Sequence, residues 1–154
     1  MKILMVCLGN ICRSPIAEGV LQHKADKAGR NWLVDSAGTF DFHAGESPHH
    51  LSIKVALENG VDIRHQKARP FKANDFDDFD IIYAMADDVM QGIKKIAGDK
   101  FTPKKAMLFL DELNPGKGED LKDPYYGPEK GFHEVYELIN STCDVIIEKY
   151  QSIP

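Results

Sequence analysis

One short stretch does most to limit how this chain can fold. The compact apolar run Lys2–Val6 suits a buried strand. It passes directly into the turn Cys7-Leu8-Gly9-Asn10-Ile11-Cys12-Arg13, and a helical pattern follows from Pro15 to Ala28. Ser14 can cap that helix, Pro15 fits its first turn, and Ile16, Ala17, Val20 and Leu21 give an apolar face near the helical period. The same alternation continues. Strands are expected at Trp32–Ser36, Ile81–Met85 and Ala106–Leu110, and helices at Pro48–Asn59, Asp87–Ala97 and Glu129 to about Gln151. Loops are expected at Ala37–Ser47 and Asn114–Gly127, a basic loop with a short helix at Arg64–Asp75, and a solvated acidic stretch at Asp75–Asp80. Strands separated by helices imply βαβ units. The expected fold is therefore α/β, a single-domain three-layer sandwich over residues 1–154 with a four-stranded parallel sheet and helices on both faces. In such sheets ligands bind beyond the carboxyl ends of the strands, where strand order reverses.

Composition narrows the function. Nineteen Lys and Arg against 24 Asp and Glu leave a formal charge of −5. This argues against a protein whose main task is to wrap nucleic acid or lie on an anionic membrane. No apolar run approaches the roughly 20 residues of a membrane span. Three cysteines do not make a disulfide scaffold. A cytoplasmic chain is expected, in which a thiol stays reduced and can act as a reagent.

The turn after the first strand combines four features. Cys7 stands at the mouth of a strand-to-helix turn. Gly9 and Asn10 tolerate unusual backbone angles, so successive N–H groups can converge on one point. A helix N-terminus attracts an anion. Arg13 offers a planar fork matched to two oxygens. The same positive field favours the thiolate of Cys7, and the Ser14 hydroxyl is placed to hydrogen-bond it. One loop can thus bind a tetrahedral dianion and hold a nucleophile beneath it. It is not an ATP-type phosphate loop, because Gly-x4-Gly-Lys-Ser/Thr is absent. His43, His49 and His50 cluster in sequence, but no zinc-ligand spacing is present, and neither a metal nor a cofactor is expected.

Val6 through Glu18 resembles the signature of the low-molecular-weight protein tyrosine phosphatases. The resemblance continues at Val34–Thr39, His65–Arg69 and Asp123-Pro124-Tyr125-Tyr126-Gly127, and so covers essentially the whole chain in order. It implies hydrolysis of phosphotyrosine proteins or small aryl phosphates through a phosphorylated Cys7, with Arg13 on the phosphate and Asp123 as acid and then base. It further implies a supporting hydrogen-bond network of Asn10, Ser14, Ser36 and His65, with Asp87 standing one position later than the family's acidic residue after the third strand. Leu8 and Ile11 are expected on the pocket wall, and Phe42, Tyr125 and Tyr126 against the substrate ring. Phe40 is the other candidate for the aromatic rim. Cys12 is a candidate partner for Cys7 in reversible oxidation. Arg64, Lys67 and Arg69 are candidates for guiding anions. A monomer or weak homodimer without nucleic-acid or membrane partners is expected.

Three other readings compete. An arsenate reductase shares this fold and loop but passes a disulfide through further cysteines in mid-chain, and none lies between Cys12 and Cys143. A non-catalytic phosphotyrosine-binding module would be expected to lack the nucleophile or the acid. A flavodoxin-like redox protein would need a platform for the flavin ring.

Overall fold

The computed structural model describes residues 1–154. Four strands, β1 (Lys2–Cys7), β2 (Leu33–Gly38), β3 (Ile81–Ala84) and β4 (Ala106–Leu108), form one sheet in the order β2-β1-β3-β4. Every pairing is parallel. Five helices join them: α1 (Arg13–Lys27), α2 (His50–Glu58), α3 (Asp75–Asp78), α4 (Asp87–Ala97) and α5 (Glu129–Lys149).

Alternation along the central strand explains the layers. Ile3, Met5 and Cys7 face a larger core shared with α1, α2 and α5. Leu4 and Val6 face a smaller core shared with α3 and α4. Both faces of β1 are buried, as its unbroken apolar run requires. The chain runs from β1 outward to β2, then returns to the other side of β1 to lay down β3. Strand order therefore reverses at β1, and the Cys7–Ser14 turn leaves its carboxyl end there.

Several elements differ in extent from the sequence reading. Helix α1 begins at Arg13, so Ser14 lies inside the first turn and caps nothing. Its hydroxyl turns instead toward Cys7. Helix α2 begins at His50, capped by the ring of His49, which accepts from Leu51 N. Strand β4 stops at Leu108, where a 3-10 turn, Phe109–Asp111, takes over. The Asp75–Asp80 stretch is not simply a solvated loop. Asp75–Asp78 is helical, and Asp75 is buried because it pairs with Arg69 and accepts from Lys72 N.

Candidate active site

The loop after β1 is held as a cup with Cys7 at its floor. Cys7 is buried, and its Sγ lies 3.0 Å from Ser14 Oγ and accepts from Asn10 N at 3.3 Å. Asn10 is the only non-glycine residue with positive φ, at 58°. Asparagine tolerates that conformation, and it tightens the turn so that backbone N–H groups point inward. Gly9 does not adopt such an angle; it serves through its size, because a Cβ there would lie 3.1 Å from the His43 ring. Gly38, at the end of β2, is needed for the same reason, since a Cβ would lie 2.7 Å from the carbonyl oxygen of Leu8.

The hydrogen bonds around Asn10 fix a direction. Its Oδ1 accepts from Arg69 N at 3.0 Å, so its amide nitrogen points the other way. That nitrogen donates to Ser14 Oγ at 2.8 Å and to Ser36 Oγ at 3.0 Å. Ser36 passes its own proton to Glu18 Oε1 at 2.6 Å. Ser14, already an acceptor from Asn10, has its hydroxyl proton free for the Cys7 sulfur. The network thus delivers a donor to the thiolate, and a charge-assisted bond of this kind is worth about 1.5–3 kcal/mol.

Arg13 is buried at the edge of the cup. Its Nη1 donates to Leu121 O at 2.9 Å, and its Nη2 lies 3.7 Å from Asp123 Oδ2. Leu121 N in turn donates to Met85 O at the end of β3. The guanidinium is therefore aimed by the base of the loop that carries the carboxylate. Asp123 is exposed, and its Oδ1 accepts from Tyr125 N at 3.1 Å. Above it opens a cleft of about 400 Å³ lined by Cys7, Leu8, Gly9, Ile11, Cys12, Arg13, Phe40, Phe42, His43, Asp123, Tyr125 and Tyr126. Both candidate phenylalanines face the cleft, with ring centroids 6.4 Å apart. His43 links the two aromatic walls, 5.0 Å from Phe42 and 6.0 Å from Tyr125, and its Nδ1 is 3.1 Å from Glu46 Oε2. Cys12 lines the cleft but is chemically unlike Cys7. Burial, reinforced by Asp123, pushes its thiol up to about 12.

Residues 2–152 match the family model described as low molecular weight phosphotyrosine protein phosphatase. The phosphatase of that name from Schizosaccharomyces pombe is 38% identical over 138 residues, which cover 88% of this chain and 87% of the relative. The chain belongs to the low molecular weight phosphotyrosine protein phosphatase family. A protein tyrosine phosphatase of Entamoeba histolytica superposes with a TM-score of 0.90 at 34% identity, covering 99% of this chain and 97% of that one. Vibrio vulnificus Wzb, solved with benzylphosphonate, superposes with a TM-score of 0.86 at 31% identity, covering 96% and 97%.

Against the phosphatase pattern, two positions, His65 and Arg69, behave differently from the sequence reading. His65 is exposed and makes no hydrogen bond to the network around Asn10. Its neighbour Gln66 is the buried residue there, donating from Nε2 to Pro15 O. Arg69 is not free to guide anions. Its guanidinium is held by Asp35 and Asp75, and its backbone N–H orients Asn10. Asp87 sits at the start of α4, where its N–H donates to Asp120 Oδ1 and its Oδ1 accepts from Gln91. Glu18 and His43 join the site without being named by the sequence reading. Glu18 had a readable signal: it lies four residues after Ser14, so both polar groups share one face of α1 beneath the loop.

Proposed function

We propose that this chain is a phosphotyrosine phosphatase in which Cys7 is the nucleophile, Arg13 and the loop N–H groups hold the phosphoryl oxygens, and Asp123 is the acid and then the base. The observation that carries this reading is the sulfur at the floor of the cup, with a hydroxyl donor beside it and a guanidinium and a carboxyl at the mouth. The Cys7 thiolate attacks phosphorus as the phosphorus–oxygen bond to the leaving phenoxide breaks, and Asp123 supplies that oxygen's proton. The resulting Asp123 carboxylate then takes a proton from water. The water oxygen bonds to phosphorus, the sulfur–phosphorus bond breaks, and Ser14 donates to the departing thiolate. Charge on the equatorial oxygens is met throughout by groups that need no rearrangement.

Selectivity for aryl esters follows from depth. Cys7 is buried beneath an aromatic rim, so a short alkyl phosphate cannot reach the sulfur while keeping its chain among the rings. The benzylphosphonate held by the Vibrio relative supports a slot of this shape. The reductase reading finds little support, because the one cysteine beyond Cys12 is fully buried within α5. We place the activity in one domain, residues 1–154, acting as a monomer or weak homodimer in a reducing cytoplasm. Three free cysteines fit that compartment, and no helix is long and apolar enough to cross a membrane.

The test is hydrolysis of p-nitrophenyl phosphate and a phosphotyrosine peptide by the wild type, Cys7→Ser and Asp123→Asn, each with chelator present. Chelator-insensitive activity that disappears in Cys7→Ser is expected. Full activity in Cys7→Ser overturns the mechanism, and arsenite release from arsenate in place of ester hydrolysis overturns the activity.

A further inference from the structure

The hydrogen-bond chain that ends at Cys7 begins at a carboxyl group that the reaction does not use. Glu18 Oε1 is committed as acceptor to Ser36 Oγ at 2.6 Å. A buried polar atom of a side chain seated on the same helix has no partner, Gln66 Oε1. Gln66 is 92% buried, given its 8% exposure, and its Nε2 is spent on Pro15 O at 3.0 Å. Pro15, Glu18 and Gly19 follow the i, i+3, i+4 spacing of one helix face. Gln66 Nε2 would also lie 3.7 Å from a Cβ placed on Gly19. The amide therefore covers the same turns of α1 that carry Glu18, and its oxygen can only be satisfied by a donor. A buried oxygen left without one has lost its hydration and gained nothing in return.

We propose that Glu18 is a positioning residue for Cys7 that carries a proton on Oε2, given to Gln66 Oε1, while the enzyme turns over, and that loss of this proton to water slows the reaction. The inference rests on the phosphatase reading above. Protonated, Glu18 accepts from Ser36 and can supply the donor that Gln66 Oε1 lacks, and the far end of the chain is neutral. Ionised, it still accepts from Ser36 but leaves Gln66 Oε1 bare. It also sets a negative charge at the far end of a network whose near end must hold a thiolate above which a phosphate dianion binds. Like charge there opposes both. The charged groups facing Glu18 agree with a neutral carboxyl. Asp35 on β2 repels an anion, and Arg69, the one cation, is already shared between Asp35 and Asp75. Burial, reinforced by Asp35, lifts the Glu18 carboxyl from its ordinary 4.5 to about 7. For an acid raised in this way the stabilisation is present at low pH and is lost as pH rises through about 7.

The decisive measurement is the infrared carbonyl band of protonated carboxyl groups, followed from pH 5.5 to 9 in wild type and in Glu18→Gln. A band that disappears near neutrality in the wild type and is missing from Glu18→Gln is expected. No such difference between the two, or a difference that persists unchanged to pH 9, overturns the proposal. This readout needs no turnover, so it stands apart from the phosphatase reading, which fails separately if the wild type is inert toward aryl phosphates. Kinetics give the second arm. Between pH 6 and pH 8, kcat/KM of Glu18→Gln should fall about threefold less than that of the wild type. Glu18→Ala, which removes the acceptor for Ser36, should be impaired at both pH values and improved by the conservative amide. Superimposable profiles for wild type and Glu18→Gln refute the role. Gln66→Leu should move the infrared midpoint to lower pH, and an unmoved midpoint excludes Gln66 as the proton's partner.

Discussion

The two loops that meet at the reaction centre are built in opposite ways. The Cys7–Ser14 loop is buried from Asn10 onward, pinned by Ser14, Ser36 and the Arg69 backbone, and fitted so closely that Gly38 has no room for a methyl group and Gly9 only by displacing the His43 ring. The Asp123–Gly127 loop is tied at its base, through Leu121 to Met85 and Arg13, and beyond that by ring contacts of Tyr125 with His43 and His49. Beyond Asp123 it is largely exposed, and Tyr126 is 96% so. The difference follows the chemistry. Groups that meet developing charge lower the barrier only if they are already in place, whereas a proton donor that also roofs the cleft must let substrate in and phosphate out.

The contrast breaks first at the sulfur. Cys7→Ser should lower kcat by about 10⁴-fold or more, because serine in this cup has no adjacent base to activate it. Rapid-quench detection of phosphoenzyme checks the same point, with label on the wild-type chain and none on Cys7→Ser. The neighbouring thiols sharpen it. Cys12 is held up to about 12 by burial, and burial raises Cys143 further, so neither carries thiolate at neutral pH. Substoichiometric iodoacetamide followed by peptide mapping should therefore label Cys7 and spare both.

Next comes the acid loop. Asp123→Asn should lower kcat by about 10²- to 10³-fold with KM nearly unchanged. The loss should be larger for phenyl phosphate than for p-nitrophenyl phosphate, whose leaving group departs without a proton. An equal loss on both substrates would point to a role for Asp123 in holding Arg13 rather than in proton transfer, since the two lie 3.7 Å apart.

Ser14→Ala tests the rigid loop from within. Removing the one hydroxyl that can donate to the sulfur should cost roughly tenfold to a hundredfold in kcat. Because Asn10 loses one of its acceptors as well, the alkylation rate of Cys7 at fixed pH should fall along with kcat. An unchanged alkylation rate would show that Ser14 acts on the leaving thiolate alone.

How much of this was legible in the sequence differs between the same two loops. The Cys7–Arg13 turn could be read because its neighbours are strongly patterned: a run buried on both faces before it and a periodic helix after it. The order of strands and helices followed from the same periodicities. The supports were harder to read. Residues 61–74 carry no sustained period, so nothing in the pattern separated exposed His65 from buried Gln66. Asp75 looked like one acid among several, and only the folded chain sets it beneath Arg69. Ser14 offered two roles, helix cap and partner of the thiolate, and the fold keeps the second because α1 begins at Arg13. The Phe42–His43–Tyr125 contacts join residues about 80 positions apart, which local pattern does not reach.

The smallest effect belongs to the roof. Tyr126 contacts Tyr125 edge-on with ring centroids 4.7 Å apart and otherwise faces solvent. Its ring gains a second partner only when an aryl phosphate enters, so the interaction is made in the bound state and persists through the transition state. Such uniform binding changes KM and leaves kcat in place. An aromatic contact of this kind is worth about 0.5–1.5 kcal/mol, so Tyr126→Ala should raise KM for a phosphotyrosine peptide by roughly two- to tenfold. Tyr126→Phe should restore most of the affinity, since the ring and not the hydroxyl makes the contact. If kcat falls instead and KM holds, Tyr126 acts by placing Asp123. The acid loop would then share more of the rigidity of the loop it faces than its exposure implies.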